Sequence, residues 1–199
     1  MWREARNSST KTQKIIGLGL FTAIVIVLQL LGSFIKFGVV SISLVLIPIV
    51  VGAALYGIGA GAWLGAVFAV VVLLQPDTAL FLNMSVIGTI LTVMLKGILA
   101  GVASGGIYKL LSKKNKYLGV ISAAIICPLV NTGIFLIGCR LFFYDWILEN
   151  AAGTNAFVFM ITAFVGTNFL FEMATNLILS PSIVKIINIG KKQINTKKK

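Results

Sequence analysis

Lys109-Leu110-Leu111-Ser112-Lys113-Lys114-Asn115-Lys116 interrupts an otherwise apolar chain near its middle and decides how the rest is laid out. Two further basic groups bracket the sequence: Arg3, Arg6, Lys11 and Lys14 at the start, and Lys185, Lys191, Lys192 and Lys197 to Lys199 at the end. Of the 17 basic residues, only Lys36, Lys96 and Arg140 fall outside these groups. Lysine and arginine accumulate on the cytoplasmic side of membrane proteins. All three groups are therefore assigned to that side, and the apolar stretches between them must cross the bilayer an even number of times.

Hydrophobic residues make up 58% and charged residues 11% of the 199-residue chain, at a mean hydropathy of +1.03. A soluble domain carries about 25% charged residues, so this composition belongs in a bilayer. The net charge of +12 would suggest nucleic acid in a soluble protein. Here the basic residues flank apolar runs and need only lipid headgroups, so nucleic acid is not an expected partner. Six helices of about 20 residues with short connections use the whole length. The spacing predicts an all-α integral membrane protein with six transmembrane helices in one bundle and both termini cytoplasmic. The spans fall at 14–33, 38–56, 58–75, 88–111, 117–143 and 156–187. They form a single membrane domain, with a basic N-tail at 1–13, the bundle at 14–187, and a basic C-tail at 188–199 that reads as a disordered anchor. The first apolar run, Ile15 to Leu31, has no small-x-small cleavage site after it and is expected to stay as a helix.

Tyr56-Gly57-Ile58-Gly59-Ala60-Gly61 is a glycine-dense reversal between the second and third spans. Gln75-Pro76-Asp77 ends the third, because proline lacks a donor and restricts the residue before it. Gly88 to Lys113 already makes about 37 Å of helix. The segment from Asp77 to about Ile87 is therefore expected to be a loop or half-helix on the outer side. Tyr144 to Asn155, with Asp145 and Glu149, suits an outer loop. Cys127 and Cys139 share one predicted helix about 18 Å apart and cannot pair.

Polar residues inside the spans are the candidate site. Asn168, Glu172, Thr175 and Asn176 recur at three- and four-residue intervals and share one helix face, which cannot face lipid. Such a stripe either holds helices together by hydrogen bonds or lines a ligand pocket, and an ionisable Glu172 favours the pocket. Lys96 falls in the outer half of its span, about 25 Å above Lys113. It either snorkels or pairs with Glu172, or it is the counter-ion of an anionic ligand. Arg140 stands beside Phe142, Phe143, Tyr144 and Trp146, as part of an interfacial aromatic belt or as a rim that receives a solute. Asn131, after Pro128, and Asn83, in the outer loop, are further binding candidates of the same kind. In the first span Gly19 and Ala23 form a small-xxx-small pair, fit either for packing within the monomer or for a partner helix.

Several chemistries are excluded. No histidine is present, so there is no Ser-His dyad, and two cysteines alone make no zinc, haem or iron-sulfur ligand set. No P-loop motif is present, so any ATP-driven step belongs to other subunits. No catalytic residue, metal or cofactor is expected, and the chain is not read as an enzyme.

The stretch Ser41-Ile42-Ser43-Leu44-Val45-Leu46-Ile47-Pro48-Ile49-Val50-Val51-Gly52, with Tyr56-Gly57 and Gly61-Ala62-Trp63-Leu64-Gly65, resembles the second and third helices of substrate-binding (S) components of energy-coupling factor (ECF) vitamin transporters. Leu95-Lys96-Gly97-Ile98-Leu99-Ala100-Gly101, followed by Tyr108 and lysines, resembles their fourth helix, with Lys96 where many members have arginine. The resemblance implies capture of a water-soluble vitamin at the outer face, beneath the loops Gly32 to Val40 and Pro76 to about Ile87. It implies docking through Gly19 and Ala23, where the family usually has two alanines, on a transmembrane coupling subunit served by two ATP-binding subunits. The folate and pantothenate carriers are the most similar group.

The sequence thus suggests the substrate-binding subunit of an ATP-driven importer in a bacterial cytoplasmic membrane. Lys96, Asn131, Arg140, Asn168, Glu172, Asn176 and Asn83 would form its site. An autonomous small-solute channel or facilitator, and a membrane scaffold that binds partner helices, are the alternatives.

Overall fold

The computed structural model describes residues 2–32, 36–37, 40–41, 44–151, 153–162 and 166–196, with the side chains of 12–32, 44–151, 153–162 and 169–192. The elements are α1 (Trp2–Gly32), β1 (Lys36–Phe37), β2 (Val40–Ser41), α2 (Leu46–Tyr56), α3 (Ile58–Leu73), α4 (Pro76–Met84), α5 (Val86–Leu111), α6 (Lys116–Phe142), α7 (Tyr144–Asn150), α8 (Ala156–Met160) and α9 (Gly166–Thr196). The two strands are a minimal antiparallel pair, Lys36 opposite Ser41 and Phe37 opposite Val40.

Four of these helices contain segments long and apolar enough to cross a membrane: Thr12–Gly32, Val86–Leu111, Lys116–Phe142 and Phe169–Lys192. A fifth crossing results if α3 and α4, bent by 82° at their junction, count as one span. Large apolar side chains such as Ile15, Leu74, Ile87, Leu141 and Ile178 stand exposed around the bundle. A surface of this kind is stable against lipid and not against water. The segment expected to span at 38–56 differs. Its helix has only 11 residues, about 16 Å, because the chain before it turns through the β1-β2 pair. Leu46 and Pro48 to Ala54 are all buried, and an all-round apolar helix is stable only when other helices wrap it. It sits in the main core with Val25, Leu64, Phe68, Val120, Cys127, Ile183 and Ile187.

Gly57 joins α2 to α3 with φ +98°, a conformation that L side chains rarely adopt. Its N–H closes α2 on the Ala53 carbonyl, and its own carbonyl accepts from Ala60 and Gly61 to open α3. Beyond this turn α3 and α5 run antiparallel in unusually close contact. A Cβ at Gly61 would strike the Gly101 carbonyl and the reverse, and the same holds for Gly65 and Gly97. Two facing Gly-xxx-Gly pairs thus let the backbones touch.

The α3–α4 bend is built by Pro76 in the first turn of α4, with Gln75 before it in extended backbone. Thr78 Oγ1 donates to the Val72 carbonyl (2.6 Å), and Gln75 is held by α1. Gln29 Nε2 donates to Gln75 Oε1, and Gln75 Nε2 donates to the Gln29 carbonyl, both at 3.0 Å. Of the two forms expected for the segment after Asp77, the half-helix is the one observed.

Ala156–Met160 forms α8 and Gly166–Thr196 forms α9, and residues 163–165 between them lie outside the described residues. The basic ends are helical where described, α1 from Trp2 and α9 through Thr196, in place of the disordered anchor expected after Gly190. At the C-terminal end the reason is a partner, since Lys191 Nζ donates to the Tyr108 hydroxyl (2.7 Å) and lies 4.6 Å from its ring centroid. Lys197 to Lys199 lie outside the described residues. As expected, Cys127 and Cys139 share α6, and both thiols are free.

Candidate functional site

Lys96 projects from α5 into the interior of the bundle. Its ammonium lies 5.7 Å from the centroid of the Phe68 ring on α3 and 5.2 Å from that of Phe135 on α6. Cation–π contact offsets part of the cost of removing an ammonium from water. The buried Glu172 carboxylate of α9 acts on Lys96 electrostatically, so the two charges share one environment although 76 positions separate them. Cys139 is within electrostatic reach of Lys96, and Cys127 of Glu172. Cys127, Asn131, Phe135 and Cys139 follow one another at four-residue intervals and share this face of α6.

Asn131 and Asn176 are 5% and 1% exposed, so their polar atoms must be satisfied from inside. Asn176 Nδ2 donates to the Glu172 carbonyl (2.8 Å), and Ser180 Oγ donates to the Asn176 carbonyl (2.8 Å). These bonds run back along α9 and do not tie it to another helix. The side-chain oxygens of Asn131 and Asn176, and that of Thr92 on α5, have no hydrogen-bond partner among the described residues. Thr92 is one turn from Lys96 and packs against Gly138 of α6, where a Cβ would not fit.

An aromatic layer covers the end of the bundle where α4 lies. Phe81 of α4 meets Phe135 edge-on at 5.6 Å and Phe143 at 5.2 Å. Cys139, Ile147, Ala156 and Met160 complete this second apolar cluster, which brings in α7 and α8. Phe135 thus belongs both to the cover and to the lysine's surroundings.

Lys96, Asn131, Glu172 and Asn176 are therefore gathered on adjoining faces of α5, α6 and α9. Arg140 is not among them: it is exposed, with its guanidinium carbon 3.8 Å from the Tyr144 ring centroid. Asn83 is exposed on α4. The side chain of Asn168, and most of the loop Gly32 to Val40, lie outside the described residues. On α1, Gly19 and Ala23 are exposed, and nothing lies within 4 Å of a Cβ built on Gly19. Gly17 is the packed glycine of this helix, against Tyr56.

Phe68, Thr92 and Phe135 were not singled out from the sequence. Thr92 had a signal, since Thr89, Thr92 and Lys96 repeat at helical spacing, whereas the two phenylalanines are indistinguishable from core residues until the fold places them. Among the described residues no group of three or more metal-ligating side chains occurs.

Comparison with curated proteins returns no match, and comparison with solved structures returns none either. The family model described as ECF transporter, substrate-specific component, matches residues 13–184. That match runs from within α1 to within α9 and includes Lys96, Asn131, Glu172 and Asn176. The chain belongs to the family of substrate-specific components of ECF transporters, and as such it is a substrate-binding membrane subunit and not an enzyme.

Proposed function

We propose that the chain captures a vitamin-sized water-soluble molecule at its outer face and delivers it through an ATP-driven ECF module in the bacterial cytoplasmic membrane. The observation that carries this reading is the Lys96 ammonium turned inward between the Phe68 and Phe135 rings, with the buried Glu172, Asn131 and Asn176 on neighbouring helices. Charges inside a membrane bundle are costly to keep and mark solute paths. Lys96, Asn131, Glu172 and Asn176 form the wall of the site in this reading, with Phe68 and Phe135 as aromatic sides. Arg140, Asn83 and Asn168 contribute from the rim. Folate and pantothenate head the candidates by resemblance.

The membrane domain then has six crossings, with α2 and its preceding segment as one and α3 with α4 as another, and with both termini cytoplasmic. The Lys191–Tyr108 bond supports this, because it sets the basic end of α9 beside the basic end of α5. Gly19 and Ala23 form the contact with the transmembrane coupling subunit, consistent with their exposure. Proteoliposomes give the test. Uptake of labelled vitamin should require the coupling subunit, both ATP-binding subunits and ATP. Equal uptake by this chain alone would identify an autonomous facilitator instead.

A further inference from the structure

Three buried oxygens, Thr92 Oγ1, Asn131 Oδ1 and Asn176 Oδ1, stand without a hydrogen-bond partner among the described residues, on the three helices that carry Lys96, Phe135 and Glu172. Their residues are 3%, 5% and 1% exposed, so bulk water does not serve them. A buried acceptor left unmade is destabilising, and native proteins rarely keep three on adjoining faces without a use. The orientation of Asn176 is fixed by its own bond. Its Nδ2 is taken by the Glu172 carbonyl, so the atom left over is an acceptor.

The charges nearby point the same way. Among the described residues the one ammonium on these faces, that of Lys96, is flanked by two aromatic rings and feels the Glu172 carboxylate. A carboxylate seated in this interior would find Lys96 already compensated, and would lose its hydration without full return.

We infer that the part of the ligand seated between α5, α6 and α9 is uncharged and amide- or lactam-like, with N–H or O–H donors for the side-chain oxygens of Asn131 and Asn176 and a carbonyl or ring-nitrogen acceptor for Lys96. This deepens the capture reading and rests on it. It also separates this site from a carboxylate-binding one, which the presence of a buried lysine alone would have suggested. Asn131 and Asn176 become the residues that set specificity, and Glu172 the residue that prevents a simple anion from settling on Lys96.

The test uses the detergent-purified full chain and a panel of water-soluble vitamins that includes carboxylates small enough to be seated whole beside their neutral counterparts, such as nicotinate with nicotinamide. Affinities are read by ligand retention in native mass spectrometry and by thermal shift. The expected result is that the tightest binders are neutral at the seated end and exceed their carboxylate partners by at least about tenfold, equivalent to about 1.4 kcal/mol. Asn131→Leu and Asn176→Leu should each reduce that binding by about tenfold or more. Tighter binding of the carboxylates to the unaltered chain overturns the inference but leaves solute capture standing, and it does not depend on either variant folding. Binding of no panel member overturns both.

Discussion

Gly65 on α3 and Gly97 on α5 face each other so closely that each carbonyl oxygen occupies the place where the other's Cβ would stand. One turn further along each helix, Gly61 and Gly101 repeat the relationship. α5 carries Lys96 next to Gly97, and α3 carries Phe68 one turn from Gly65. The glycine contact therefore fixes the distance between the lysine and one of its two aromatic neighbours.

Gly97→Val should force the helices apart and destabilise the protein by roughly 1–3 kcal/mol or more, as overpacking does. Gly19→Ala should be neutral or slightly stabilising, because open space surrounds Gly19 and alanine is the better helix former by about 0.5–1 kcal/mol. Thermal unfolding in detergent compares them, and equal effects would contradict the contact.

Breaking the interior pair should be more harmful than removing it. Lys96→Met leaves the Glu172 carboxylate without its opposing charge, a loss of about 3–5 kcal/mol for a fully buried pair and less where water reaches it. Adding Glu172→Gln should restore part of that stability. A double-mutant cycle measures the coupling, and strictly additive losses would show that the two charges act independently.

The reciprocal amide bonds between Gln29 and Gln75 anchor the α3–α4 bend to α1. Gln75→Leu should strand the buried Gln29 amide and cost about 1–3 kcal/mol, with faster hydrogen exchange in α4. Replacing both glutamines by leucine should cost less than the sum of the two single changes. Unchanged exchange at 76–84 in the single variant would mean that the bend is held by Pro76 and Thr78 alone.

Much of this fold could be read from sequence because the bilayer demands long apolar runs, and α1, α5, α6 and the body of α9 were placed within a few residues. The errors share a cause. The apolar run at 38–56 carries no sign of the strand pair that shortens its helix. The lysine run after Gly190 looks unstructured, because the partner of Lys191 is Tyr108, 83 positions away. The two Gly-xxx-Gly pairs are visible as letters, but their opposition across α3 and α5 is tertiary. In the site, polar residues in apolar spans gave themselves away, while Phe68 and Phe135 had no local mark.

Lys191→Met or Tyr108→Phe should loosen the end of α9 by about 0.5–1.5 kcal/mol, with hydrogen exchange rising over 185–196. Solute binding should be unchanged, since this contact is at the other end of the bundle from the aromatic cover. Loss of binding in either variant would show that the two ends are coupled.

The central claim is that the interior around Lys96 and Glu172 holds a small molecule. Native mass spectrometry of the purified chain, before and after incubation with water-soluble vitamins, tests it most directly when run beside the Lys96→Met, Glu172→Gln double variant. One vitamin-sized molecule per chain in the unaltered protein, and none in a folded variant, is the expected result. An unaltered protein that stays empty, or a variant that retains the same molecule with equal affinity, would contradict the account.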